Sequence, residues 1–296
     1  MEELFKCPVC ESNSLSIALS AKDYFFTQET FQIMKCNSCE FLFTNPRPNS
    51  AELNRYYQTD EYLSHATTKK TALSMIYSFL RNVSIKRKYS LISKIKFKGK
   101  ILDIGCGTGE VLNYFNQNCW ETLGIEPAEN PRNFAVTNYG LSVFDESHLD
   151  NLQTASFDII TMWHVLEHVS DLNERITQVK RILKNDGTII VAVPNSKSWD
   201  AGHYKKFWAA WDLPRHLYHF STISMTNLMN KHSLSIEKIH PMKFDTYYVS
   251  ILSEKYQSGK TNYLKSVLNG FRSNLSAKNH SGDYSSLIFQ VKKQNI

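Results

Sequence analysis

Long apolar runs are missing from this sequence. No uninterrupted hydrophobic stretch reaches the ~20 residues that a membrane-spanning helix requires. The first ten residues, Met1 to Cys10, lack the basic start and apolar core of a secretory signal. Internal repeats and low-complexity tracts are also absent, which excludes solenoid and fibrous architectures. Charge of one sign is scarce overall: 34 Lys and Arg against 28 Asp and Glu leave a net charge of +6 over 296 residues. These absences describe an ordinary folded chain, expected to be cytoplasmic and long enough for a catalytic domain plus a small appendage.

What is present is unevenly placed. Four of the six cysteines form two tight pairs, Cys7-Pro8-Val9-Cys10 and Cys36-Asn37-Ser38-Cys39, separated by 25 residues. Two such knuckles offer four thiolates to one tetrahedral ion, which fits structural zinc and leaves no open coordination position for chemistry. A redox pair would need only one of them. The metal ligands expected are therefore Cys7, Cys10, Cys36 and Cys39, on a small ribbon with too few apolar side chains to fold without metal.

Asn45-Pro46-Arg47-Pro48 interrupts any regular element, so a boundary is expected there. The first module is assigned to residues 1–48. Residues 49–98 read as a helical connector, with apolar residues at helical spacing (Leu73, Ile76, Leu80 and Val83, then Tyr89, Ile92 and Ile95). From Lys69 to Lys100 it holds ten Lys and Arg and no acidic residue. Such a stretch either attracts phosphate backbones, most strongly at Lys86-Arg87-Lys88, or forms a solvated helix face.

Beyond Lys100, short apolar runs alternate with amphipathic segments, the pattern of a parallel sheet with helices on both faces. Strands are expected at 101–104, 122–125, 141–144, 157–162, 188–193, 235–239 and 287–292. Helices are expected at 110–116 and 173–183, the latter closed by a turn at Lys184-Asn185-Asp186-Gly187. Residues 99–296 thus form an α/β, Rossmann-like domain with a seven-stranded, mostly parallel sheet and insertions at about 196–232 and 241–284. The first insertion is dense in aromatic and histidine residues, among them Trp199, His203, Tyr204, Trp208, Trp211 and His216. It lies beyond the carboxyl ends of the strands, where acceptor pockets form, and equally suits the core of a lid.

The most informative stretch is Ile101-Leu102-Asp103-Ile104-Gly105-Cys106-Gly107-Thr108-Gly109-Glu110, a strand, a glycine turn and a helix start. A dinucleotide fingerprint would need glycine at 110 or 112, where Glu110 and Leu112 stand. Asp103 and Glu110 surround the loop with negative charge, which suits a cationic ligand better than a pyrophosphate. The segment resembles the first motif of class I methyltransferases, whose ligand is S-adenosylmethionine. Glu126 in Leu123-Gly124-Ile125-Glu126-Pro127, the run Phe157-Asp158-Ile159-Ile160, and Leu183 to Thr188 are similar to further motifs of that family.

The resemblance implies a donor site of Asp103, Gly105, Cys106, Gly107, Gly109, Glu126, Asp145 and Trp163. In it Glu126 holds the ribose hydroxyls and Asp145, or its neighbour Glu146, meets the adenine. The cysteine module, the Asn-Pro-Arg-Pro exit and His216-Leu217-Tyr218-His219-Phe220-Ser221 together resemble bacterial zinc-ribbon methyltransferases. Some relatives with cysteine-rich N-termini act on sugars, and some RNA methyltransferases carry zinc ribbons.

His164-Val165-Leu166-Glu167-His168 matches the H-x-x-E-H pattern of a zinc peptidase group, in the wrong context directly after a strand of the cofactor fold. It is also similar to the Glu-x-x-Glu-His stretch that ubiquinone-biosynthesis O-methyltransferases use for a divalent cation, with His164 in place of the first Glu. In a third reading these residues border the donor and cap the helix. Methyl transfer to a hydroxyl needs a base, and His164 and His216 are the expected ones. The expected function is methyl transfer from S-adenosylmethionine to a small-molecule or saccharide-type acceptor. An RNA methyltransferase and a non-catalytic S-adenosylmethionine-binding protein are the alternatives.

Overall fold

A computed structural model describes residues 1–57 and 72–294. Its elements, in chain order, begin with β1 (Leu15–Lys22), β2 (Thr30–Cys36) and β3 (Leu42–Thr44). After them come α1 (Ala72–Ser93), β4 (Lys100–Ile104), α2 (Glu110–Gln117), β5 (Glu121–Ile125), α3 (Glu129–Tyr139), β6 (Val143–Phe144) and β7 (Phe157–Trp163). The chain continues through α4 (Leu172–Ile182), β8 (Leu183–Pro194), α5 (Trp199–Tyr204), β9 (Tyr218–His219), α6 (Thr222–Lys231) and β10 (Leu234–Pro241). It ends with α7 (Asp245–Ser258), α8 (Tyr263–Ser276) and β11 (Ser286–Lys293). The seven strands expected in the catalytic sheet are all present, in the order β10-β11-β8-β7-β4-β5-β6.

Packing divides the chain into two compact units. One comprises residues 72–163 and 176–190 together with the last few described residues. Here β4 pairs in parallel with β5 on one side and β7 on the other, so that Asp103 lies opposite both Gly124 and Thr161. This register brings the carboxyl ends of three strands level and places Asp103, Glu126 and Trp163 at one edge, where open α/β sheets bind ligands. All seven residues of β7 are buried, as a mostly apolar strand covered on both faces predicts, with Asp158 and Thr161 the two polar exceptions. On α1, Ile85 and Ile92 are buried. Lys69 and Lys70 of the basic stretch lie outside the described residues, as do the side chains of Leu73, Ile76 and Leu80.

The expected turn at 184–187 is corrected: β8 starts at Leu183, directly after α4. Gly187 does not adopt the left-handed conformation of a turn. It serves close packing instead, since a Cβ there would stand 2.7 Å from Leu183 Cδ1 and 3.1 Å from the Asp158 carbonyl.

The second unit joins residues 1–57 with 164–175 and 191–291. Residues 1–48 are not separate within it. The antiparallel sheet runs β1-β2-β3-β9, and its last strand comes from the far end of the chain, with Leu42 opposite His219 and Phe43 opposite Tyr218. Its core holds Phe31, Ile33, Tyr56, Tyr204, Trp208 and Trp211. Most of the aromatic density of the first insertion is therefore core: Tyr204 and Trp208 are 1% and 2% exposed. Burying large rings from both ends of the chain removes more apolar surface from water than a 48-residue ribbon commands alone.

Candidate active site

The glycine loop is shaped by steric demand at one residue and backbone sign at another. Gly109, which caps α2, has φ 77°, and a Cβ on it would meet Ala135 at 2.8 Å and Leu141 at 2.9 Å. Gly107 has φ 55°, yet nothing lies within 4 Å of where its Cβ would be, so the loop opens onto free space there. The amides of Gly105 and Cys106 donate to the Ile125 carbonyl at 2.7 and 3.1 Å. Those of Gly107 and Ala128 donate to the two oxygens of Glu126 at 2.8 and 2.9 Å. Loop and acid thus hold each other in place.

Glu126 is 8% exposed, and burial raises its carboxyl above the usual range. Burial likewise lifts Asp103 to about 6, although the Thr161 hydroxyl donates to it at 2.5 Å. Two desolvated carboxyls beside an open loop form a site that gains by receiving a cation. Lys88, from the basic connector, turns its ammonium to 4.3 Å above the Trp163 ring, and its charge also acts on Asp103. The Trp163 Nε1–H is buried and without a partner among the described residues. The Cys106 sulfur stands where a side chain on Gly124 would have to go, 2.7 Å from that Cβ position, and burial raises its thiol so that it stays protonated and inert. Glu110 pairs with Arg81. Asp145 is exposed and accepts from the Ser147 amide and hydroxyl.

In the other unit, the segment after β7 builds a corner of imidazoles. His164 has φ 55°, a conformation uncommon outside glycine, and is held there by donating its amide to the Ala192 carbonyl at 2.9 Å. Its ring lies 2.9 Å from Asp245 and 3.3 Å from Glu167. Burial works to lower its pKa, but the ring is one-third exposed and the two carboxylates outweigh that effect, raising it to about 10. His164 is therefore a cation across the neutral range.

Glu167 is fully buried and held ionised, below its usual range, chiefly by His164 against the cost of burial. Its Oε2 has no hydrogen-bond partner among the described residues. His168 and His216 meet edge to face at 4.6 Å. The His216 Nδ1 lies 2.9 Å from the Ala210 carbonyl and the His168 Nδ1 3.0 Å from the Arg215 carbonyl. A carbonyl only accepts, so each Nδ1 carries its hydrogen. Burial, aided by the neighbouring His216, lowers His168 to about 4, so it stays neutral. One donor atom each from Glu167, His168 and His216 fits within 4.8 Å.

Arg215 secures this corner. It is 1% exposed and bonds Asp212 at 2.7 Å, Asp23 at 2.9 Å and the Tyr56 carbonyl at 3.2 Å. Asp23, Tyr57, whose hydroxyl lies 2.9 Å from His168, and Asp245 were not expected from the sequence, because nothing local to them signals a partner far along the chain. The four expected metal ligands do converge. Cys7 and Cys39 sulfurs are 3.5 Å apart, as are those of Cys10 and Cys36, and all four lie within 4.8 Å. Thiolates about 2.3 Å from a tetrahedral zinc stand roughly 3.8 Å apart, so the set fits that ion.

Comparison with known proteins follows the same lines. The profile of the family described as "methyltransferase domain" matches residues 78–239. The ubiquinone biosynthesis O-methyltransferase of Haemophilus ducreyi is 31% identical over 111 residues, which cover 33% of this chain and 47% of that protein. An uncharacterised protein of Methanocaldococcus jannaschii is 35% identical over 103 residues, 34% of this chain and 39% of that one. The matched region thus spans less than half of either relative.

Among solved structures, a SAM-dependent methyltransferase from Archaeoglobus fulgidus superposes with a TM-score of 0.50 at 18% identity, covering 72% of this chain and 94% of that one. Magnesium protoporphyrin IX methyltransferase from Synechocystis, with SAH bound, gives 0.54 at 12% identity, with 83% and 100% covered. These likenesses are of fold. No described helix is long and apolar enough to cross a membrane.

Proposed function

The chain belongs to the methyltransferase domain family, and on that premise we propose that it transfers the methyl group of S-adenosylmethionine to a small-molecule or saccharide-type acceptor. The observation that carries this reading is the pair of buried carboxyls, Asp103 and Glu126, beside the open glycine loop at the level ends of β4 and β5. When bound, S-adenosylmethionine supplies an electrophilic methyl on a sulfonium. Asp103, Gly105, Cys106, Gly107, Gly109, Glu126, Asp145 and Trp163 hold it. Glu126, fixed by two backbone amides, presents its remaining lone pairs to the ribose hydroxyls. Catalysis then rests on alignment and exclusion of water.

His216 is assigned the proton from an acceptor hydroxyl, because its Nδ1 is committed to the Ala210 carbonyl and Nε2 is the ring nitrogen left to accept. His164 positions Glu167 through their ion pair. The similarity to a ubiquinone biosynthesis O-methyltransferase supports a small organic acceptor. The four cysteines are assigned one structural zinc. A divalent cation held by Glu167, His168 and His216 is a second reading of the imidazole corner, favoured by the unpartnered Oε2 of Glu167.

Calorimetric titration with S-adenosylmethionine tests the donor assignment, and binding of NAD or FAD in its place would refute it. Labelled donor incubated with fractionated cell extract identifies the acceptor. On that acceptor, His216→Gln is expected to lower turnover at least ~100-fold with donor affinity unchanged. Wild-type turnover that survives exhaustive chelation excludes the divalent cation.

A further inference from the structure

Helix α8 is turned inside out relative to an ordinary surface helix. Tyr263, Leu264, Val267, Leu268, Phe271 and Leu275 are between 45% and 74% exposed, while Ser266, Asn269, Gly270 and Ser273 are buried. Both sets recur at three- and four-residue spacing, so the large apolar side chains share one face and the small polar residues the opposite one.

The inversion is pinned by the partners of the inner face. The Asn269 side-chain amide donates to the Tyr204 hydroxyl at 3.0 Å and to Glu254 at 3.1 Å. The Ser273 hydroxyl donates to Asp200 at 2.9 Å. Gly270 lies against the Tyr247 ring, which a Cβ would approach to 2.6 Å, so α7 and α8 pack too closely for a larger residue. Rotating the helix to bury its apolar face would strand these polar groups. No described residue covers the outer face.

The surrounding charge identifies what does. From Lys255 to Gly282 the sequence carries Lys255, Lys260, Lys265, Arg272 and Lys278 and no acid. Lys265 reaches back to Glu254 at 3.0 Å, and the other four leave a positive surplus in this stretch, with Arg272 on the helix itself beside the apolar residues. A second copy of the chain docked face to face would bring like charges together across a two-fold axis. An anionic lipid surface accepts both the apolar face and the cations. We propose that α8 is an interfacial anchor that lies in the headgroup region of an anionic membrane and docks the folded chain there reversibly.

Vesicle flotation of the full-length chain tests this. Phosphatidylcholine vesicles containing phosphatidylglycerol should carry the protein, and pure phosphatidylcholine vesicles should not, with binding that weakens as salt rises. Leu264→Asp with Phe271→Asp should lower partitioning by at least ~10-fold, and Arg272→Gln alone by roughly fivefold, both with unchanged thermal unfolding. Equal flotation on the two vesicle types, or Arg272→Gln and the double variant floating like wild type, overturns the assignment. So does a wild-type dimer in solution that the double variant turns into a monomer, since a second copy would then be what covers the face.

Discussion

Burial dominates at Asp103, which is 3% exposed, whereas the carboxylates of Asp245 and Glu167 dominate at His164, whose ring is one-third exposed. Burial holds Asp103 near 6. A cationic donor binds its ionised form, so donor affinity should rise with pH up to about 6 and level off above it, and Asp103→Asn should flatten that profile and weaken binding at neutral pH. Titration calorimetry across this range checks both. His164, raised to about 10 by Asp245 and Glu167, lies above the unfolded value near 6.5. Its stabilisation is therefore complete below about 6.5 and fades as pH climbs through 10. His164→Gln should cost on the order of 1–2 kcal/mol at neutral pH, and the deficit should shrink in alkaline melts. The charge on His164 was not legible in the sequence, because it depends on Asp245, 81 residues further along the chain.

At the level of elements, the sheet was legible wherever local chemistry alone decides. β7 declares itself by a mostly apolar run, Phe157 to Trp163, and the loop after β4 by three glycines in five residues. Gly109→Ala joins a left-handed backbone to a 2.8 Å clash with Ala135. It should destabilise by roughly 1–3 kcal/mol and weaken donor binding, as chemical denaturation and calorimetry would show. The start of β8 was misread because Lys-Asn-Asp-Gly has turn composition, whereas the glycine there makes room for Leu183.

The neighbouring Asp158 explains why that junction matters. Although burial opposes it, the Lys100 amide and the ammoniums of Lys96 and Lys184 hold its carboxylate down at about 2. Its contribution is present above the unfolded value near 3.9 and is lost as pH falls through about 2. Asp158→Asn should therefore cost on the order of 2 kcal/mol near pH 7 and almost nothing in melts near pH 2.

For the whole molecule, composition and cysteine spacing foretold a four-cysteine ribbon beside an α/β domain but not how the ribbon closes. The bond between Arg215 and Asp23, 192 positions apart, and the pairing of β3 with β9, 175 to 177 positions apart, are separations that no local pattern encodes. Phe41 stacks on Tyr218 at 5.9 Å and meets Phe220 at 5.7 Å, so damage at the cysteines reaches the imidazole corner's own segment. Stripping the metal with a strong chelator should release one zinc per chain and lower the melting temperature, with hydrogen exchange accelerating at 216–220 as well as at 7–44. Arg215→Ala, which leaves Asp23 and Asp212 without their buried partner, should cost about 3–5 kcal/mol in denaturant titrations.

The late arrival of Tyr218 and His219 also sets an order of events during translation. The four thiolates emerge from the ribosome early and are free to take up metal at once, whereas the strand that completes their sheet is still unsynthesised some 180 residues later. Until then β3 presents an unpaired edge to its surroundings, so the interval before residue 219 is the one in which the nascent chain is most exposed to pairing with other strands.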